Sequence, residues 1–440
     1  MEVFVTGIGM ISALGRLDSS WKNLLASKSA IKVHQPFPEL EALPLALIDR
    51  KPTNLKILVD LVVKDALQDA GLVPPLPDCG VAIGSSRSQQ ASWEKLAIAS
   101  YLEDAEYPHT RSQAQPGNQS IASYLQDALH PDSRSQADPG NQSIASYLED
   151  AEHPHTRSQA EPGNESNKAL PWLLQDWLET LPHMGAIAAA RQIGSTAPVL
   201  APMAACATGI WALAQGFELI QTGQCQRVIA GAVEAPITPL TLAGFEQMGA
   251  LAKTGCYPFD RYREGLVLGE GAAVFVLESA ELANRRGASI YGEILGFGLT
   301  ADAYHISAPE PGGRSAIAAV KQCLERSHLS FGDIDYIHTH GTSTQLNDQN
   351  EANLIRYLFP QGVPVSSTKG STGHTLGASG ALGVAFCLMG LKYQILPPCV
   401  GLNEPEFDLD LVKVPRRGNI RQILCFSFGF GGQNAVIALG

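Results

Sequence analysis

The sequence predicts an α/β architecture. Three observations carry the prediction. Short, nearly all-apolar runs alternate with segments of 3.6-residue apolar period, the runs end in glycine turns, and the alternation holds on both sides of a repetitive central stretch. The chain has 440 residues, 45% hydrophobic and 17% charged, a globular composition with enough apolar mass for a large core. That length suits two or more domains or one large duplicated one.

Taken in order, "EVFVTGIG" and "CGVAIGSS" read as buried strands that end in glycine turns. Between them, "LKILVDLVVKDALQDAGL" has a helical apolar period and stops at Gly71. "RVIAGAVEA", "AAVFVLES" and "IDYIHTH" are further strands. "RSAIAAVKQCLERSHL" and "LGASGALGVAFCLMGLKYQ" read as helices, and "ILCFSFGFGGQNAVIAL" as two strands around a glycine hairpin. The opening "MEVFVTGIGMISALG" lacks the basic start and long apolar core of a signal peptide. No apolar run is expected to reach the roughly 18 residues of a membrane span. Eight cysteines, spread singly with no C-x-x-C pair, suggest neither a zinc site nor a disulfide framework. A reducing, cytoplasmic setting is expected. The formal net charge of −12 argues against general nucleic-acid binding.

Residues 98–166 are a tandem repeat of period 23, and the first and third copies share 20 of 23 residues. Each copy offers about one turn of apolar residues before a polar stretch ending Pro-Gly-Asn, too little to stack as a solenoid. The reading is a duplicated surface insertion, mobile or partly helical. His109, His130, His153 and His155 lie in it, with no scaffold expected to converge them on a metal.

Cys206 lies in "VLAPMAACATGIWALAQG", among small residues at the start of a helical pattern formed by Ile210, Leu213, Ala214, Phe217 and Ile220. A helix tip would lower its pKa and favour a thiolate, while Ala204, Ala205 and Ala207 leave room for a substrate. A packed core cysteine is the competing reading of this stretch alone. The second half supplies "HTHGTSTQLND", with His340 at a strand end, and "SSTKGSTGHTLGASG", with Lys369 and His374 in a glycine-rich loop. A thiolate nucleophile needs donors for charge developing on its substrate, and neutral imidazoles can donate and exchange protons near neutral pH. His338, on the same strand as His340, is read as structural.

These stretches, with "GAVEAPITPLTLAGFEQMGALA", "CYPFDRYREGLVLGEGAAVFVLE", "TADAYHISAP" and "FSFGFGGQNA", come in an order and spacing that resemble the β-ketoacyl-acyl-carrier-protein synthases of the elongating, Cys-His-His type. The resemblance covers nearly the whole chain apart from the insert. It implies a thiolase-like duplicated αβαβα layered fold with a surface repeat insertion. An N-terminal half, residues 1–245, would carry the nucleophile, and a C-terminal half, 246–440, the histidines. By this resemblance Cys206 would accept the acyl chain as a thioester. His340 and His374 would assist decarboxylation of a malonyl thioester, and Lys369 would hold the histidine loop. The N–H groups of Cys206 and Phe430 would form the oxyanion hole, with Phe430 as gate. Thr342 and Thr344 would contact the carrier's pantetheine arm, and Phe245 would border the substrate. An acyl carrier protein and a second copy of the chain are the implied partners, with no metal or cofactor.

The chain departs from the family pattern at three places. Arg87 stands near the acyl-pocket position, Gln433 replaces the usual threonine of "GGTN", and "WLLQDWLETLPHMGAIAAARQIG" matches poorly. Two other functions fit the same resemblance: a non-catalytic partner like the chain-length factors, and a thiolase-fold acyltransferase using coenzyme A. The first typically lacks the nucleophile; the second lacks the "HGTST" and "TKGSTGH" pair. Lys253, Arg261 and Arg263 are the candidates for a carrier-docking patch.

Overall fold

The computed structural model describes residues 1–106 and 177–440. Met1–Lys95 and Asp176–Gly440 form one compact unit, and Leu96–Gln175 a second. Of the second, only the end of a helix spanning Gln90–Glu106 is described. That helix includes the first apolar turn of the repeat. The rest of the expected insertion, with its four histidines, lies outside the described residues.

The large unit is built on a twelve-stranded sheet. Its strands are β1 (Val3–Ser12), β2 (Cys79–Gly84), β3 (Val199–Leu200), β4 (Arg227–Glu234), β5 (Gly271–Ser279), β6 (Gly292–Ala301), β7 (Tyr336–His338), β8 (Pro364–Ser366), β9 (Asp410–Leu411), β10 (Ile423–Gly429) and β11 (Gln433–Leu439). Their order is β9-β8-β7-β10-β11-β6-β1-β5-β4-β2-β3, and a short strand, Gly15–Arg16, also pairs with β1. The order is symmetrical about the β6–β1 junction, with parallel pairs toward both ends. β5, which the sequence reading placed after the boundary at residue 245, pairs with β1 and β4 on the N-terminal side.

The strands are apolar on both faces because both faces are covered. Val228, Ala230 and Ala232 of β4 face the helices α2 (Thr208–Gln221) and α5 (Ser379–Tyr393). Their neighbours Ile229 and Val233 face α1 (Leu55–Asp69) and the helix Met184–Ile193. In the other half of the sheet Cys425 and Ile437 join α2 and α5, while Leu424, Phe426 and Val436 pack on α3 (Arg314–Arg326) and α4 (Gln345–Leu358). Helices therefore cover both outer faces, and two more lie between the halves of the sheet, giving five layers.

Glycine lets the two central helices touch. A Cβ at Gly209 would lie 2.5 Å from the Ala381 nitrogen, and one at Gly380 would lie 2.9 Å from Ile210 Cγ1. Gly209→Val should force α2 and α5 apart, costing about 1–3 kcal/mol or more by overpacking. Thermal unfolding should show a drop of several degrees; an unchanged melting temperature would mean the helices part freely.

One expectation from the sequence needs correcting. Leu376–Tyr393 is long and apolar enough to cross a membrane. Its glycines and serines mask this in a visual reading. It is 83% buried, however, as the core helix α5 and the turn that leads into it.

Candidate active site

Cys206 sits two residues before α2, on the turn where β3 leads into that helix. Ala205 has a φ of +47°, a conformation that L-residues rarely adopt and that presents the following residue sharply. Ser427 of β10 donates its hydroxyl to the Cys206 carbonyl at 2.8 Å. Gly429 is bare by necessity: a Cβ there would lie 2.8 Å from the Ala204 carbonyl and 3.0 Å from the Cys206 nitrogen. The nucleophile turn and the end of β10 thus press together.

His340 follows β7. Its backbone N–H and that of Gly341 both donate to Glu351 of α4, at 2.7 and 2.6 Å. Lys369 donates to the His340 carbonyl, and its Nζ lies 3.5 Å from His340 Nδ1. His374 sits in the loop before α5, its N–H bonded to the Val267 carbonyl at 2.6 Å. Its Nδ1 accepts the Leu376 N–H at 3.1 Å and lies 2.8 Å from Ser379 Oγ. A ring nitrogen that accepts a backbone N–H carries no proton when the ring is neutral, so the proton of His374 sits on Nε2. The lysine beside His340 Nδ1 sets the same tautomer there.

The structure brings these groups together. The His340 and His374 rings are 5.2 Å apart at 81°. One donor atom each from Cys206, His340 and His374 lies within 4.8 Å of the other two, and all three residues are buried. They border a cavity of about 300 Å³ that is also lined by Phe245, Thr342, Thr344 and Phe430. Phe245 and Phe430 stack at 5.9 Å, and Thr342 and Thr344 hydrogen-bond through their hydroxyls at 2.8 Å. Lys369 lies beneath this surface, 4% exposed. His338 is outside the cluster, bonded to Thr368 at 3.1 Å and close to Cys425.

The electrostatics differ from the sequence expectation. Burial pushes the Cys206 thiol up to about 11. Lys369, Arg87 and the Phe430 N–H pull it down, Glu234 adds to the rise, and burial wins. Burial thus opposes the pull of the helix tip toward a thiolate. Burial also holds both imidazoles well below their usual range, reinforced by the Lys369 charge. The resting site is a thiol facing two neutral rings. Alkylation of Cys206 by iodoacetamide should therefore rise about tenfold per pH unit from pH 7 to pH 10, because only the thiolate reacts. A plateau below pH 8 would restore the thiolate reading.

A soft metal could find three ligands at Cys206, His340 and His374. The Lys369 ammonium beside His340 opposes a second cation there.

Sequence reasoning missed the carboxylates behind the site. Glu234, fully buried, accepts from Ser85 Oγ, Ser86 N and Oγ, Arg87 N and Gly377 N. It ties the turn after β2 to the loop that carries His374. Glu351 and Asp348 stand three apart on one face of α4; burial pushes Glu351 to about 7 and Asp348 to about 6. An acid closing an otherwise apolar strand, and two acids at helical spacing, were the available signals. Arg263 is also corrected. It is 2% exposed and donates to the carbonyls of Thr344 and Gln345, so it braces the cavity wall and cannot dock a carrier. Arg261 pairs with Glu404 at 3.7 Å.

Profiles of the β-ketoacyl synthase N-terminal and C-terminal domains match residues 155–283 and 291–403. The chain belongs to the β-ketoacyl synthase family. It is 38% identical over 268 residues to a 3-oxoacyl-[acyl-carrier-protein] synthase 2 of Staphylococcus aureus, covering 58% of this chain and 66% of that protein. It is 38% identical over 267 residues to nodulation protein E of Rhizobium meliloti, covering 59% and 66%. The aligned part thus spans just under two thirds of these relatives. The fold matches a type II polyketide ketosynthase solved with its acyl carrier protein and a bound hexaketide, with a TM-score of 0.79 and 25% identity over 100% of this chain and 98% of that one. The five-layered body is the thiolase-like fold of such synthases.

Proposed function

We propose that this protein is an active β-ketoacyl-acyl-carrier-protein synthase, joining an acyl group to a malonyl unit with loss of CO2. The convergence of one thiol and two neutral imidazoles on one cavity carries this reading. In the first half-reaction Cys206 Sγ attacks the carrier thioester. The new C–S bond forms, the carrier's C–S bond breaks, and the thiol proton is transferred to the departing carrier thiolate. Burial raises the thiol, which favours loss of this proton as the bond forms.

In the second half-reaction the malonyl thioester carbonyl accepts N–H donation from His340 and His374. Each neutral ring donates through the Nε2–H that its tautomer carries. The carboxylate leaves as CO2, and its bonding electrons pass into an enolate. The enolate carbon attacks the Cys206 thioester, the C–S bond breaks, and the sulfur regains a proton from solvent. The N–H groups of Cys206 and Phe430 serve as the oxyanion hole; the Phe430 N–H also favours the anion of the sulfur. Phe430 gates the thiol, while Thr342, Thr344 and Phe245 guide the substrate. Lys369 and Glu351 fix His340, and Glu234 fixes the loop of His374. Residues on both sides of the β6–β1 junction are needed, consistent with two duplicated halves.

The chain-length-factor alternative is disfavoured because the whole catalytic set is present. The partners proposed are an acyl carrier protein and a second copy of this chain, in the cytoplasm, where eight free, buried cysteines would stay reduced. Incubation with acyl- and malonyl-carrier should yield a β-ketoacyl-carrier two carbons longer, read by mass spectrometry; free acid alone would refute condensation. Light scattering should give a mass of twice 46.8 kDa. A monomer would refute the homodimer.

A further inference from the structure

His338 is a polar ring for which the apolar core makes room. It ends β7, is 2% exposed, and pairs in register with Cys425 of β10. Opposite the pair, α5 is bare: a Cβ on Gly383 would lie 2.9 Å from His338 Nδ1, from His338 Cε1 and from Cys425 Sγ. Glycine inside a helix weakens it, so helix stability is given up to seat this ring. Neither half-reaction calls on it directly.

Both ring nitrogens are engaged. Nδ1 lies 3.7 Å from Cys425 Sγ, and Nε2 lies 3.1 Å from Thr368 Oγ1. A thiol that donates to Nδ1 leaves the ring proton on Nε2, which donates to the threonine hydroxyl; a thiolate–imidazolium pair has the same donor there. Thr368 precedes the short helix Lys369–Thr372, and its side chain does not cap that helix. Its carbonyl accepts the N–H groups of Ser371 and Thr372, at 3.0 and 3.1 Å. The next residue, Lys369, donates to the His340 carbonyl and stands 3.5 Å from His340 Nδ1. A continuous chain of contacts thus runs from Cys425 through His338, Thr368 and Lys369 to His340. All of its members are buried.

We propose that His338 is a positioning residue for decarboxylation: it anchors the Thr368–Lys369 turn, so that the lysine holds His340 as the tautomer that donates through Nε2. This inference rests on the condensing activity proposed above.

The test follows CO2 release from malonyl-carrier and acyl loading of Cys206 side by side. Two amide substitutions separate the ring nitrogens, because a Gln amide reaches about as far as Nε2 and an Asn amide only about as far as Nδ1. In His338→Asn, kcat for CO2 release should fall about tenfold, the rate equivalent of one buried hydrogen bond, with KM changed by less than about twofold and loading unaltered. His338→Gln should keep most of the native rate. Native kcat in H338N, an equal loss in H338Q, or a loss of loading to match that of CO2 release overturns the proposal. Thr368→Val removes the acceptor and leaves the ring in place, so it should reproduce the split even if H338N does not fold; native kcat in T368V overturns the proposal. A second arm needs no turnover. In nitrogen NMR of protein with isotopically labelled histidine, the His340 ring, assigned by its loss in His340→Ala, should show the Nε2–H tautomer in native and H338Q protein and a mixture of tautomers in H338N. If the native enzyme releases no CO2, the condensing function fails; the tautomer then decides for His338 alone, and one tautomer shared by native and H338N protein overturns it.

Discussion

In Cys206→Ala, condensation is expected to fall by at least about a thousandfold, as when a covalent nucleophile is removed from an otherwise intact site. Seven other cysteines remain, all buried, but none lines the cavity. No acyl mass should appear on the variant. Release of CO2 from malonyl-carrier should persist, because the donors for that step are His340 and His374, which the substitution leaves in place. The diagnostic result is the split between lost loading and retained decarboxylation. A variant that still loads acyl groups would mean that another thiol is the nucleophile.

The second large effect is the converse. His340→Ala and His374→Ala should each slow decarboxylation and condensation by roughly 10²–10⁴-fold, the range for a lost proton-transfer group or a lost donor to developing charge. Acyl loading of Cys206 should survive in at least one of them, since loading does not need both N–H donors. Single-turnover loading and CO2 release measure the two steps separately. Equal loss of loading in both variants, with decarboxylation intact, would reverse the assigned roles.

Much of this was legible in the chain. Cys206, His340, Lys369 and His374 stand in stretches of small residues and glycine at strand ends, and the structure brings all four together. Those glycines and alanines are there because backbone presses on backbone, as Gly429 does on the Ala204–Cys206 turn. Less legible was the electrostatic balance. The helix tip was visible in the sequence, but the degree of burial, which raises the thiol, was not. Glu234 and Glu351 were missed because each acts through backbone N–H groups contributed by distant segments. Arg263 read as a surface cation because sequence does not show that loop carbonyls surround it. Leu376–Tyr393 escaped notice as a span-length apolar segment because its hydropathy is diluted by the small residues that let α5 pack against α2.

The most direct test is a single turnover of the acyl-enzyme. Protein acylated at Cys206 is isolated and mixed with malonyl-carrier. The acyl mass on the protein should disappear at the same rate as β-ketoacyl-carrier forms, with one CO2 per product. Decay of the acyl-enzyme to free acid at one rate with or without malonyl-carrier would contradict the account.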